Sequence, residues 1–363
     1  LIALIGPLGA FGVIVFVLAR VGDVGMFLPR ILLGRFLPDQ DFGAIDPFIS
    51  TLSLLAIPVG VICQVAIKSI SRLDARGERA QRATLIRDLA LIVLAGSVLT
   101  ALVVLALSDF ILLRLHLEAN RNLYTLFIIG WVLLGWWQPV AAAILQGLQR
   151  YVLLSTLGAL VPIALTALTV LTVVALHLGL AGAICARLLA GFGVTILTVW
   201  ILREYAGARR TSYRSEAPVI LKTIAPASLL TIGSFLLYNF DKLFIRNFQL
   251  VDSGGFAAII TLGQIPFWLI GPLVLVLLPM ASAEHATGRD MSRRIVQAAA
   301  IGGAITCLCV LFFAFATAPL FRLWKPTFAP YAGLVWPYAL AMGLQGIVLM
   351  VNSIDLARHE NAS

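Results

Sequence analysis

Seven ionisable residues stand in apolar surroundings where such side chains are costly. Arg20, Asp23 and Arg30 share one long apolar stretch near the start of the chain, Arg187 lies in another, and Asp241, Lys242 and Arg246 lie in a third. A charge at the centre of a membrane helix costs roughly 2.5–3.5 kcal/mol on insertion scales, so such residues face a cavity or a partner. Cations held there suit an anion, because Arg presents a two-pronged fork and Lys a point charge. Carboxylates held there can bind a cation or exchange a proton, a role open to Asp23 and Asp241. Arg20 and Asp23 are three residues apart and share a helix face, with Arg30 seven residues beyond Asp23 on the same stripe. Three amides, Gln138, Asn239 and Gln345, could line a polar cleft or serve as glue between helices.

The elements that position these residues follow from composition. Of 363 residues, 61% are from the set AVILMFWYC and 12% are charged, against roughly 45–50% apolar and about 25% charged in an ordinary soluble domain. A water-soluble globule is excluded. Ten apolar stretches, at about 8–34, 43–67, 85–108, 122–146, 152–176, 179–202, 222–247, 254–282, 293–317 and 330–354, each approach the roughly 20 residues that a helix needs to cross the hydrocarbon. Backbone groups in lipid must be paired internally, and the alternation of a membrane barrel is missing, so the expected fold is all-α. Cys63, Cys185, Cys307 and Cys309 fall inside these stretches and read as packing residues rather than a disulfide framework or a zinc site. Trp131, Trp136 and Trp137 read as a lipid-facing or interface belt, and Asp46 as an interfacial residue.

The formal charge of +9 bears on topology before partners; nucleic acid is not implied. Lys68, Arg72, Arg76, Arg79, Arg82 and Arg87 follow the second stretch, and Arg203, Arg209, Arg210, Arg214 and Lys222 follow the sixth. By the positive-inside rule the even-numbered loops and the N-terminus are cytoplasmic. Sliding the chain by 212 residues sets GRFLPDQDFGAIDPF over RNFQLVDSGGFAAII, with Gly43 on Gly255 and Lys242 on Arg30. In both copies a stretch ends in a short acidic, Gly-containing turn, a Pro-containing stretch follows, then a basic loop. The copies lie an even number of crossings apart, so the repeats are parallel. The expected organisation is an N-terminal six-helix half at 1–203, a cytoplasmic linker at 204–221 and a C-terminal half at 222–363, of which four helices are visible. The start at Leu1 and the missing last pair of helices lead us to expect a piece of a longer protein.

The passages LLGRFLPDQDFGAIDPFISTLSLLAIPVGV, AAAILQGLQRY, HLGLAGAICARLLAG, LLYNFDKLFIRNF and GGFAAIITLGQIPFWLIGPLVLVLLPMASAEHATGRD resemble polysaccharide biosynthesis proteins. These are the Wzx-type lipid-linked oligosaccharide flippases of the multidrug/oligosaccharidyl-lipid/polysaccharide (MOP) exporter superfamily. The resemblance implies two pseudo-symmetric bundles arranged as a V, alternating access, and a bacterial inner-membrane protein. Its substrate would be an undecaprenyl-pyrophosphate-linked glycan moved from the cytoplasmic to the periplasmic leaflet, with a polysaccharide polymerase and glycosyltransferases as partners beside the membrane lipids. Arg20, Arg30, Arg187, Lys242 and Arg246 are then the cations for the pyrophosphate, Asp23 and Asp241 the coupling-ion candidates, and Gln138, Asn239 and Gln345 the glycan contacts. No cofactor is implied.

Other classes fit less well. A membrane glycosyltransferase normally carries a sizeable periplasmic loop with acids or His, whereas the longest odd-numbered loop is about a dozen residues; no phosphate loop, nucleophile elbow or metal-ligand spacing occurs. A major-facilitator transporter matches the basic second loop, but the Gly expected four residues before Asp74 is Ile70. A drug or cation antiporter of the same superfamily is the nearer alternative. It calls for a dominantly acidic cavity, and the apolar stretches here carry more Arg and Lys than acid.

Overall fold

The computed structural model describes residues 18, 22, 25–117, 120–207, 211–213, 216–248, 252–271 and 292–359. These residues form helices and no strand: α1 (Phe27–Phe36), α2 (Asp39–Leu54), α3 (Ile57–Ala75), α4 (Arg79–Leu115), α5 (Arg121–Gly147), α6 (Tyr151–Thr169), α7 (Gly179–Leu202), α8 (Ala217–Phe248), α9 (Ser253–Gly263), α10 (Ser292–Trp324) and α11 (Val335–His359). Short 3-10 segments, Arg203–Ala206 and Pro326–Leu334, follow α7 and precede α11, and a π-helical turn, Val170–Ala175, extends α6.

Eight of the described helical stretches are long and apolar enough to cross a membrane, and nine if the bent pair α2–α3 makes one crossing. Of the first expected stretch only the end, mainly α1, lies among the described residues. The second is not one straight span: α2 and α3 meet at 63°, broken at Leu55 and Ala56. Pro58 sits in the first turn of α3, where its missing N–H leaves no intrahelical bond unmade. The longest helix, α4, has 37 residues, or about 55 Å at 1.5 Å per residue, well beyond the roughly 30 Å of hydrocarbon. Leu91, Leu99 and Leu102 on it are more than half exposed, which only lipid tolerates for so many large apolar side chains on one helix. The chain is a multi-pass membrane protein.

The chain divides into two compact units. One comprises 17–37 and 44–250, and so holds α1, most of α2, and α3 to α8. Within it α8, the helix that opens the second sequence repeat, packs on α3. A Cβ at Gly60 would collide with Thr231, so the absence of a side chain lets α3 and α8 cross closely. Trp136 is buried against Gly96 of α4 rather than facing lipid, because the flat indole fills the groove that a Gly leaves. The other unit comprises 1–16, 38–43 and 251–363. In it Phe42, Phe321, Trp324 and Phe328 form a ring cluster with centroids 5.3–6.1 Å apart. Lys325 pairs with Asp39 at 2.6 Å, and the Tyr331 hydroxyl donates to Asp252 at 2.5 Å.

Candidate functional site: a buried cation cluster

Within the first of these units four helices bring charge to one place. Arg30 projects from α1, a helix of ten residues. Its guanidinium donates to Asp46 of α2 at 2.8 Å, and both side chains are nearly inaccessible, 13% and 11% exposed. Ser50, one turn beyond Asp46 on α2, donates to the side-chain oxygen of Asn239 on α8 at 2.9 Å. The two helices run in opposite directions, so the register that pairs 50 with 239 brings 46 toward 242. Lys242 is 4% exposed. Its ammonium lies 3.7 Å from the centre of the Tyr238 ring, four residues earlier on the same face of α8. Asp46 and Asp241 attract the Lys242 charge and Arg30 opposes it. Arg187 of α7 is within electrostatic reach of Arg30 and Asp46 and rests 5.6 Å from the Trp131 ring centre on α5.

Three cations, Arg30, Arg187 and Lys242, therefore gather about two carboxylates, Asp46 and Asp241, inside a membrane-spanning bundle. Desolvating unequal charge is expensive, and apolar groups of the same size would be cheaper to bury. The aromatic faces of Tyr238 and Trp131 offset part of this cost without neutralising the positive charge. Counted among the described residues, what remains is a site with one more cation than acid and with Arg and Lys donors in a low-dielectric setting, the chemistry that holds an anion.

Several residues singled out by sequence meet here and others do not. Arg30, Arg187, Asn239, Asp241 and Lys242 belong to this region. Asn239 spends its amide on structure, accepting from Ser50 and donating to the Phe235 carbonyl at 3.1 Å. Arg20 and Asp23 lie outside the described residues, and Arg246 lies in α8 with its side chain outside them. Gln138 is half-buried on α5, in the same unit. Gln345 is on α11 in the other unit, buried, with its Nε2 lacking a hydrogen-bond partner.

Two expectations are corrected. Asp46 is not an interfacial residue but the buried ion partner of Arg30, because α2 turns that face inward. Trp131 faces Arg187 rather than forming a lipid belt. Tyr238 is not among the residues singled out above, although its four-residue spacing from Lys242 puts it on the same helix face. The four cysteines are unpaired thiols.

No protein-family model and no curated protein matches the sequence. Solved structures do. An inward-facing multidrug resistance MATE family transporter of the MOP superfamily superposes with a TM-score of 0.69 at 14% identity, covering 96% of this chain and 87% of that one. The lipid II flippase MurJ in an inward closed conformation gives 0.69 at 13% identity, over 96% of this chain and 76% of that one. A MATE protein in complex with Br-NRF gives 0.64 at 14% identity, over 96% of both. The fold is the one shared by MATE transporters and MurJ. At these identities the likeness is one of architecture, and all-α helical packing, as read from the sequence, is its content.

Proposed function

We propose that this chain is a MOP-superfamily transporter, and within it a flippase that carries a lipid-linked, pyrophosphate-bearing oligosaccharide or polysaccharide precursor from the cytoplasmic to the periplasmic leaflet by alternating access. The observation that carries the reading is the buried Arg30–Asp46 ion pair with Arg187 and Lys242 in electrostatic reach of it. A pyrophosphate that leaves the interface loses its water and needs fixed cations in return. Asp46 serves as the resident counter-ion: it occupies Arg30 when the site is empty and yields to a phosphate oxygen when substrate enters, so the cations are not left bare at any stage. Tyr238 and Trp131 hold the Lys and Arg side chains in place throughout.

The two parallel repeats support the division into halves at 1–203 and 222–363, with the even-numbered loops and N-terminus cytoplasmic and the protein in a bacterial inner membrane. A polysaccharide polymerase and glycosyltransferases are the natural partners of such a carrier. Asp241 and, in the first stretch, Asp23 are the coupling-ion candidates.

A drug or cation antiporter is the second reading, supported by the MATE neighbours. The excess of cations weighs against it, since a cationic drug would meet a carboxylate already engaged by Arg30. The leaflet distribution of undecaprenyl-linked glycans in cells lacking this gene separates the two. Inner-leaflet accumulation relieved by the full-length gene supports flipping. An unchanged distribution with new sensitivity to cationic drugs supports the antiporter.

A further inference from the structure

A second basic site lies in the same unit, just beyond the end of α7 at Leu202, which is 15 residues or about 23 Å from Arg187 at 1.5 Å each. Here the α3–α4 turn, the α5–α6 turn and the segment after α7 enclose a recess of about 780 Å³. Tyr205 stands between two guanidinium groups, with Arg82 5.8 Å and Arg150 5.9 Å from its ring centre. Arg82 is already paired with Asp74. Arg79 and Arg150 are different: both line the recess, both are exposed, and neither has an acidic partner among the described residues. Glu204 also lines it and makes no ion pair with a described residue.

The recess is held in shape from behind. Arg87 donates to the Ala206 carbonyl at 2.7 Å, the Thr211 N–H donates to the Thr84 hydroxyl at 3.0 Å, and the Tyr213 hydroxyl donates to Asp88 at 2.9 Å. Glu216, fully buried, is gripped by Arg76 at 3.2 Å. These contacts fasten the segment carrying Tyr205 to α4. They involve neither Arg79 nor Arg150, which leaves those two groups available. The depth also fits a headgroup. Six of the first ten residues of α4, RAQRATLIRD, are polar or charged, and the helix exceeds the hydrocarbon by some 25 Å, which places the recess at the polar layer on the basic side of the membrane.

We infer that this recess is a distinct phosphate site. Arg79 and Arg150 grip a phosphate group from two separate turns, and the Gln149 amide receives the polar body attached to it. The ligand is a phosphate ester or phosphate anion, drawn either from an anionic phospholipid headgroup or from a water-soluble phosphate. The inference stands whether or not the chain flips a glycolipid, since it uses none of the cluster residues.

The test uses the purified full chain in neutral detergent, titrated with short-chain phosphatidylglycerol and, separately, with inorganic pyrophosphate. At least one probe should bind. Arg79→Ala with Arg150→Ala should weaken that binding by about tenfold or more, the loss of one charged hydrogen bond. The comparison is made in a background carrying Arg30→Ala and Lys242→Ala, so that pyrophosphate held at the cluster does not count, and in it Glu204→Gln should tighten binding. Binding of phosphatidylglycerol alone makes a lipid headgroup the ligand; binding of pyrophosphate makes phosphate itself sufficient. Binding of neither probe in that background, or unchanged affinity when Arg79→Ala and Arg150→Ala are added to it, would overturn the inference. If the recess double variant does not survive purification, Glu204→Gln decides: tighter binding supports the site, and unchanged binding refutes it.

Discussion

The two charged regions of the unit formed by 17–37 and 44–250 use the same residue types and solve opposite problems. At the basic rim, around Glu216, the acid is the buried partner: Glu216 is inaccessible, while the arginines that hold it, Arg72 and Arg76, are 38% and 46% exposed. Arg72 and Arg76 each keep part of their hydration, so their positions cost little, whereas Arg82 of the same rim, 14% exposed, has Asp74 as its partner. In the cluster the cations themselves are buried: Lys242 is 4% exposed, and the Arg30 side chain 13%. A bundle that only needed to stay folded would place arginine as the rim does. In the reading proposed above, this excess of buried cations over acids among the described residues serves binding rather than stability.

That contrast can be broken at several points. The largest effect is expected from Asp46→Asn, which strands Arg30 without its counter-ion. Removing one member of a buried pair costs on the order of 3–5 kcal/mol, read as a lowered melting temperature in detergent. Added pyrophosphate should recover part of the loss, because an external anion replaces the missing one. A variant as stable as the wild type would show the pair to be solvated and the contrast false.

A smaller effect is expected from Ser50→Ala. It deletes the bond to Asn239 and leaves a buried amide oxygen short of one donor, a loss of about 1 kcal/mol. Melting curves of the two proteins give the difference directly. The smallest effect belongs to Arg121→Ala, at a pair with Asp109 in which both side chains are more than 60% exposed. Exposed ion pairs are worth about 0–1 kcal/mol, so stability and transport should both stay at wild-type level; a marked loss would show that exposure is a poor guide to the cost of a charge here.

How much of this was legible beforehand depends on the range of the interaction. Apolar length alone announced helices such as α4 and α5, since nothing else satisfies a backbone in lipid. The 212-residue offset placed Lys242 on Arg30, and both belong to the cluster. The bend between α2 and α3 was harder to read: Pro58 is compatible with a straight start to a helix, and the break falls two residues earlier. Asp46 was misread for a different reason. Its neighbours Asp39 and Asp41 suggested an interface, whereas its partner is 16 residues back on another helix, and periodicity within one helix carries no information about the helix opposite. Asn239 shows the same limit, its bond to Ser50 spanning 189 residues.

The central claim is that Arg30 and Lys242 hold the charge of a lipid-linked anion. Its most direct test is complementation of a strain lacking the gene with full-length protein bearing Arg30→Ala and Lys242→Ala. A periplasmic glycan-modifying probe scores outer-leaflet glycolipid, and membrane insertion is verified in parallel. The account predicts normal insertion with glycolipid retained in the inner leaflet, whereas wild-type outer-leaflet display in the inserted double variant would contradict it.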